Sequence, residues 1–242
     1  MKNLSVVLIA LLAFSECAKK ENTVPGVNTK AKSVPSNTTV SDTLRYLALG
    51  DSYTIGESVT SPESFPYQLT DSLNNRAFQV QYPAEIAKPG WTSNDLITAI
   101  TVSGINNLKF SFVTLLIGVN DEAQGLSLSN YKSNFQQLLS TAINFANGDA
   151  SHVFVLSIPD WGVTPFAKGQ DSTISPQIAS FNVINRSASM SAGVNYLDIT
   201  GISKQAATNL SLIAPDGLHP SGEMYQLWVQ QLAPMVATQF KN

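Results

Sequence analysis

Along most of the chain, short apolar runs alternate with longer stretches in which apolar residues recur at helical spacing. Five runs, residues 45–50, 78–87, 110–118, 152–159 and 194–199, are rich in β-branched and aromatic side chains and are predicted as strands. Phe112-Val113-Thr114-Leu115-Leu116-Ile117 and Val153-Phe154-Val155-Leu156 are almost continuously apolar. Strands buried on both faces have that pattern, so these two are expected at the centre of a sheet. Helical spacing covers 64–75, 93–107, 129–146, 176–192 and 222–240. In the third of these, Leu128, Tyr131, Phe135, Leu138 and Leu139 mark one face, and Asn147-Gly148 supplies the stop. Pro234 is expected to kink or divide the last helix. Strand and helix in alternation predict an α/β fold, a parallel sheet covered by helices on both faces. Ligands of such open sheets bind beyond the carboxyl ends of the strands, and there the chemistry is sought.

The N-terminal pattern is of another kind. Lys2 precedes a mostly apolar stretch, residues 4–14, bounded by Ser15 and Glu16. It is about half the roughly 20 apolar residues a membrane span requires, so residues 1–16 are predicted to be an export signal. Cys17 follows directly, and Phe14-Ser15-Glu16-Cys17 resembles a bacterial lipoprotein processing site, with Glu16 where a small residue is usual. The resemblance implies acylation of Cys17 and an envelope location, periplasmic or at the cell surface. Residues 17–43 carry Lys, Asn, Thr, Ser and two prolines, with no aromatic side chain before Tyr46, and read as a tether. The globular domain is expected over 44–242.

A chain of 242 residues, 43% of them hydrophobic, can bury one ordinary core. A net charge of -3 gives no pull toward nucleic acid, and leaves membrane contact to the lipid anchor. One cysteine excludes an internal disulfide framework, and with only two histidines a zinc site is not expected; neither is a cofactor.

Three segments carry reactive groups, the first two at strand ends. Leu49-Gly50-Asp51-Ser52-Tyr53 sets Ser52 on the turn leaving the first strand, and Gly118-Val119-Asn120-Asp121 sets an amide donor at the end of the third. Ala214-Pro215-Asp216-Gly217-Leu218-His219-Pro220 holds a carboxylate and an imidazole three residues apart, just before the last helix. A hydroxyl nucleophile needs a base, and the base needs a partner that fixes its tautomer. Ser52, His219 and Asp216 supply those parts. The other histidine, His152, opens the fourth strand at the opposite edge and reads as a surface residue. Asp51 and Asp121 read as turn-stabilising acceptors rather than metal ligands. Trp91, Trp161 and Phe166 stand either as pocket walls or as ordinary loop packing.

From about Tyr46 onward the chain resembles the SGNH or GDSL hydrolases in four blocks: Gly50-Asp51-Ser52-Tyr53, Lys88-Pro89-Gly90-Trp91-Thr92-Ser93-Asn94-Asp95-Leu96, Gly118-Val119-Asn120-Asp121 and Asp216-Gly217-Leu218-His219-Pro220. Tyr53 stands where the family's eponymous leucine sits, a change expected to alter packing rather than chemistry. The resemblance implies a flavodoxin-like three-layer α/β/α sandwich with five parallel strands in the order 2-1-3-4-5. It also implies an ester-hydrolysing triad of Ser52, His219 and Asp216. The oxyanion hole would consist of the Ser52 and Gly90 amides and the Asn120 side chain. Such families act on lipid or polysaccharide esters, as lysophospholipases or carbohydrate deacetylases, and include thioesterases and acyltransferases. Of another class, a flavodoxin-like binding protein would use Ser52-Tyr53-Thr54-Ile55-Gly56-Glu57 as a phosphate loop. It leaves Asn120, Asp216 and His219 without a role. An inactive carbohydrate-binding relative would lack a triad member.

Overall fold

The computed structural model describes residues 43–241; the predicted signal, Cys17 and nearly all of the tether lie outside the described residues. Five parallel strands form one sheet: β1 (Tyr46–Gly50), β2 (Ala84–Ala87), β3 (Phe112–Leu116), β4 (Val153–Leu156) and β5 (Asn195–Leu197). Their order is β2-β1-β3-β4-β5. Leu47 lies between Ala84 of β2 and Val113 of β3, and Val155 between Leu115 and Tyr196. The expected order is therefore the observed one. Every residue of β1, β3 and β4 is buried, as continuous apolarity requires of strands covered twice.

The helices are α1 (Ser52–Ile55), α2 (Phe65–Asn74), α3 (Ser93–Val102), α4 (Val119–Ala123), α5 (Leu128–Phe145), α6 (Asp171–Ala192), α7 (Thr200–Ser203) and α8 (Gly222–Gln239). Helices α2 and α8 pack together through Phe65, Tyr225 and Trp228, whose rings lie 5.0 to 6.2 Å apart. Helices α5 and α6 meet through Tyr131 and Phe181, with ring centroids 4.8 Å apart.

The differences from the predicted bounds have local causes. The strand predicted over 78–87 is reduced to Ala84–Ala87, with one further bridge between Leu44 and Val80. Pro83 lies between them and has no N–H to give the ladder. Helix α3 ends at Val102, five residues early, where Gly104 takes a φ of +75°. Helix α6 begins at Asp171, five residues before the predicted Pro176. A proline this near the start forfeits one bond of the ladder while the rest of a long helix offsets it. Helix α8 continues through Pro234 as one assigned helix, so the predicted division does not occur.

Candidate active site

β1 ends at Gly50 and the chain turns at once into α1. Asp51 caps that turn by accepting the Tyr53 amide at 3.0 Å. Ser52 is the first residue of α1 and is buried. Asp51 has no partner for its second oxygen among the described residues. Burial pushes its carboxyl up to about 8, the Tyr53 amide opposes this, and the nearby Asp121 adds to it. Burial therefore favours the neutral form of Asp51 and lessens the negative charge next to Ser52.

Gly90 lies in the turn closed by the Trp91 amide on Lys88 O, at a φ of +82°. Thr92 then caps α3 reciprocally with Asp95, at 3.3 and 3.0 Å. Asn120 sits in α4 at the end of β3. Its cap residue, Gly118, has a φ of +129°, and a Cβ there would lie 2.7 Å from both Ile158 and Tyr131. Only glycine allows the strand to turn into α4 this tightly. The Asn120 amide donates to Trp91 O at 2.9 Å. Asp121, beside it, accepts the Ser93 amide and hydroxyl at 2.8 and 2.5 Å. One short helix thus fixes the loop that carries Gly90, and Asp121 acts as the expected turn acceptor.

The loop before α8 is held by its own backbone: the Ala214 amide donates to His219 O at 2.8 Å and the Ser221 amide to Leu212 O at 2.9 Å. Within it, Asp216 Oδ2 and His219 Nδ1 are 2.6 Å apart. With its proton on Nδ1, the ring leaves Nε2 as the acceptor. Burial alone would raise the Asp216 carboxyl. Hydrogen bonds from His219, Ser58 and two backbone amides outweigh it, and hold the group well below the usual carboxylate range. The His219 side chain is 12% exposed and that of Asp216 30%, so the pair sits at the rim of a cleft.

That cleft is a cavity of about 290 Å³ to which Ser52, Gly90, Asn120 and His219 all contribute. Four segments far apart in sequence are brought together here. Among the described residues no hydrogen bond joins Ser52 to His219; bonds of this kind often tighten only around substrate. Trp161 and Phe166 also line the cavity, whereas Trp91 does not. The Trp161 indole donates to Glu122 at 2.7 Å, which fixes one wall. Burial raises the Glu122 carboxyl even though that hydrogen bond opposes it.

Sequence reasoning missed Glu122, Ser58 and the contact of the Tyr53 ring with His219, 5.5 Å between centroids. None lies in a motif whose spacing reports it. His152 is at the amino end of β4, stacked on Phe240 at 4.6 Å. A larger groove, about 640 Å³, runs between α5 and α6 past Lys132 and Ser187, away from this chemistry. Among the described residues no three His, Cys, Asp or Glu side chains are grouped to hold a metal ion. No described helix is long and apolar enough to cross a membrane.

Residues 48–227 match the model of the GDSL-like lipase/acylhydrolase family. The chain belongs to that family and is a hydrolase acting on ester bonds. Solved structures share its fold at low identity. A psychrotrophic esterase from Pseudoalteromonas sp. aligns at 14% identity over 82% of this chain and 100% of its own, with a TM-score of 0.63. The lipase/acylhydrolase from Enterococcus faecalis aligns at 17% identity over 82% and 98%, with a TM-score of 0.62. An acetylxylan esterase from Geobacillus stearothermophilus aligns at 14% identity over 80% and 94%, with a TM-score of 0.63. No curated protein matches the chain at the level of sequence.

Proposed function

We propose that the protein hydrolyses carboxylic esters through an acyl-enzyme formed on Ser52. The hydroxyl attacks the acyl carbonyl while His219 Nε2 takes its proton. The tetrahedral intermediate collapses as His219 returns that proton to the leaving alkoxide. Water then gives a proton to His219 and attacks the acyl-enzyme, releasing the acid and restoring Ser52. Asp216 holds the imidazole in the required tautomer and supports its positive form.

The observation that carries this reading is the Asp216–His219 pair at 2.6 Å on the rim of a cavity that Ser52, Gly90 and Asn120 also line. The amides of Ser52 and Gly90 and the free N–H of Asn120 would receive the oxyanion. Each such donor is worth about 3 kcal/mol in the transition state. Burial of Asp51, by favouring its neutral form, lessens the negative charge near that oxygen. Val119, Ala123, Trp161, Phe166 and Leu218 give the cavity an apolar side for the acyl group. Its volume suits a short chain, which favours the deacetylase end of the range.

A fluorophosphonate probe should label the wild type and not Ser52→Ala, and Ser52→Ala should lose turnover of p-nitrophenyl acetate. Across esters from acetyl to palmitoyl, kcat/KM should be highest at the short end. Full turnover by Ser52→Ala refutes the mechanism; a palmitoyl optimum refutes the acyl assignment alone.

A further inference from the structure

Ser58 lies just past α1, on the segment that leaves Ser52, and its backbone takes a φ of +66°. Residues with side chains adopt that conformation at a cost that glycine does not meet. Two residues earlier the chain does use glycine, at Gly56, with a φ of +77°. A serine at 58 therefore needs its explanation in the hydroxyl. Ser58 Oγ donates to Asp216 Oδ2 at 2.6 Å, across 158 positions of sequence. His219 Nδ1 meets the same oxygen at 2.6 Å, and Asp216 Oδ1 accepts the amides of Leu218 and His219 at 2.9 and 3.0 Å. Three of these four partners belong to the loop that holds Asp216. The fourth comes from the turn of Ser52, whose carbonyl accepts the amides of Gly56 and Glu57 at 3.1 and 3.0 Å.

Resting on the triad reading above, we propose that Ser58 is a positioning residue. It staples the turn of the nucleophile to the acid and limits how strongly Asp216 supports the imidazolium. The staple acts at two points. It fixes the Ser52 segment relative to the loop of His219, and it takes a share of the charge on the oxygen that faces His219. Other titratable groups nearby are Tyr53, whose ring lies against His219, Glu57, which lines the cavity, and the buried Tyr225 of α8. None of them is hydrogen-bonded to Asp216 among the described residues. Ser58 is, among the described residues, the one side chain besides His219 that reaches the carboxylate.

Two substitutions separate the hydroxyl from the backbone. Ser58→Gly relieves the conformation and deletes the donor, while Ser58→Thr keeps the donor and strains the backbone further. The glycine variant should be at least as heat-stable as wild type, with kcat on p-nitrophenyl acetate about tenfold lower at unchanged KM. The threonine variant should be less stable, with kcat closer to wild type. Stability and activity thus move in opposite directions, which a merely structural serine would not produce. The carboxyl titration of Asp216 can be followed by carbon NMR. In Ser58→Gly it should move upward, because the Ser58 hydroxyl is one of the donors that hold the carboxyl low. That measurement needs no turnover, so it decides the inference even if no ester is hydrolysed. Wild-type kcat, or an unmoved Asp216 titration, in Ser58→Gly overturns the inference. Turnover by Ser52→Ala would instead overturn the triad reading.

Discussion

The chain contains two histidines, and each follows an aspartate by three residues: Asp149 with His152, and Asp216 with His219. The spacing is the same and the outcome is not. Nδ1 of His152 lies 4.0 Å from Asp149, with side chains 26% and 52% exposed; Nδ1 of His219 lies 2.6 Å from Asp216, at 12% and 30%. Asp149 spends its Oδ1 on Ser151, capping a short turn at 2.9 and 2.6 Å, and His152 lays its ring on Phe240. Asp216 is instead aimed by two amides of its own loop and held by a hydroxyl from the segment that follows Ser52. Spacing on its own therefore carries little chemistry. What separates the pairs is the end of the sheet on which each lies, and whether donors from elsewhere in the chain converge on the carboxylate.

The largest test of that difference is removal of each imidazole. His219→Ala should lower kcat on p-nitrophenyl acetate by more than about a thousandfold, as loss of a general base in a serine hydrolase does. His152→Ala should leave kcat within about twofold, since it touches neither the cavity nor its supports. Equal losses in the two variants would make the distinction meaningless.

The same contrast explains how much of the protein could be read from residue order. The α/β class and the central place of 112–117 and 153–156 were legible because they rest on local signals, alternation and continuous apolarity, whereas the strand order and the four blocks came through resemblance to a family. Gly118 belongs with these, because it lies inside a recognisable block even though the crowding by Ile158 and Tyr131 that demands it was invisible. Element ends were less legible, since Pro83 and Pro176 each admit two readings that only packing decides. Least legible were the supports. Ser58 reaches Asp216 across 158 residues, and Glu122 reaches Trp161 across 39. No periodicity marks contacts of that range, and an exposed serine in a loop looks like any other. The candidate groups are thus readable from residue order, while the contacts that hold them emerge only when the chain is folded.

A smaller effect lies in how pH acts on the two aspartates; hydrogen bonds from Ser151 hold the exposed Asp149 carboxyl low as well. The folded state holds the Asp216 carboxyl below its ordinary value of 3.8, so folding favours the ionised form. Its contribution to stability is then present above that value and is lost as pH falls through the lowered one. The group is partly exposed, and solvent screening limits the contribution to about 1 kcal/mol. In urea unfolding at pH 7, Asp216→Asn should be less stable than wild type by that amount, and the gap should close progressively below about pH 4. A gap unchanged down to pH 2 would show that lost packing, rather than charge, is responsible. Asp149→Asn keeps a cap acceptor at the surface and should leave esterase activity intact.

The smallest expected effects lie in the aromatic partner of each histidine. Tyr53 meets His219 at 5.5 Å with the rings tilted by 59°, and Phe240 meets His152 at 4.6 Å with the rings nearly parallel at 28°. Phe240 also packs on Phe112 of the central strand, 6.0 Å between centroids, so its ring belongs to the core rather than to any chemistry. Phe240→Leu should cost about 1 kcal/mol in urea unfolding without moving kcat. Tyr53→Leu restores the residue of the family motif at the same kind of contact. It should cost a similar amount of stability and lower kcat by less than about tenfold, because the His219 ring keeps its hydrogen bond to Asp216 while losing one wall. If Tyr53→Leu instead abolished activity, the tyrosine would be positioning the base, and the difference between the two histidines would extend from their aspartates to the rings against which they pack.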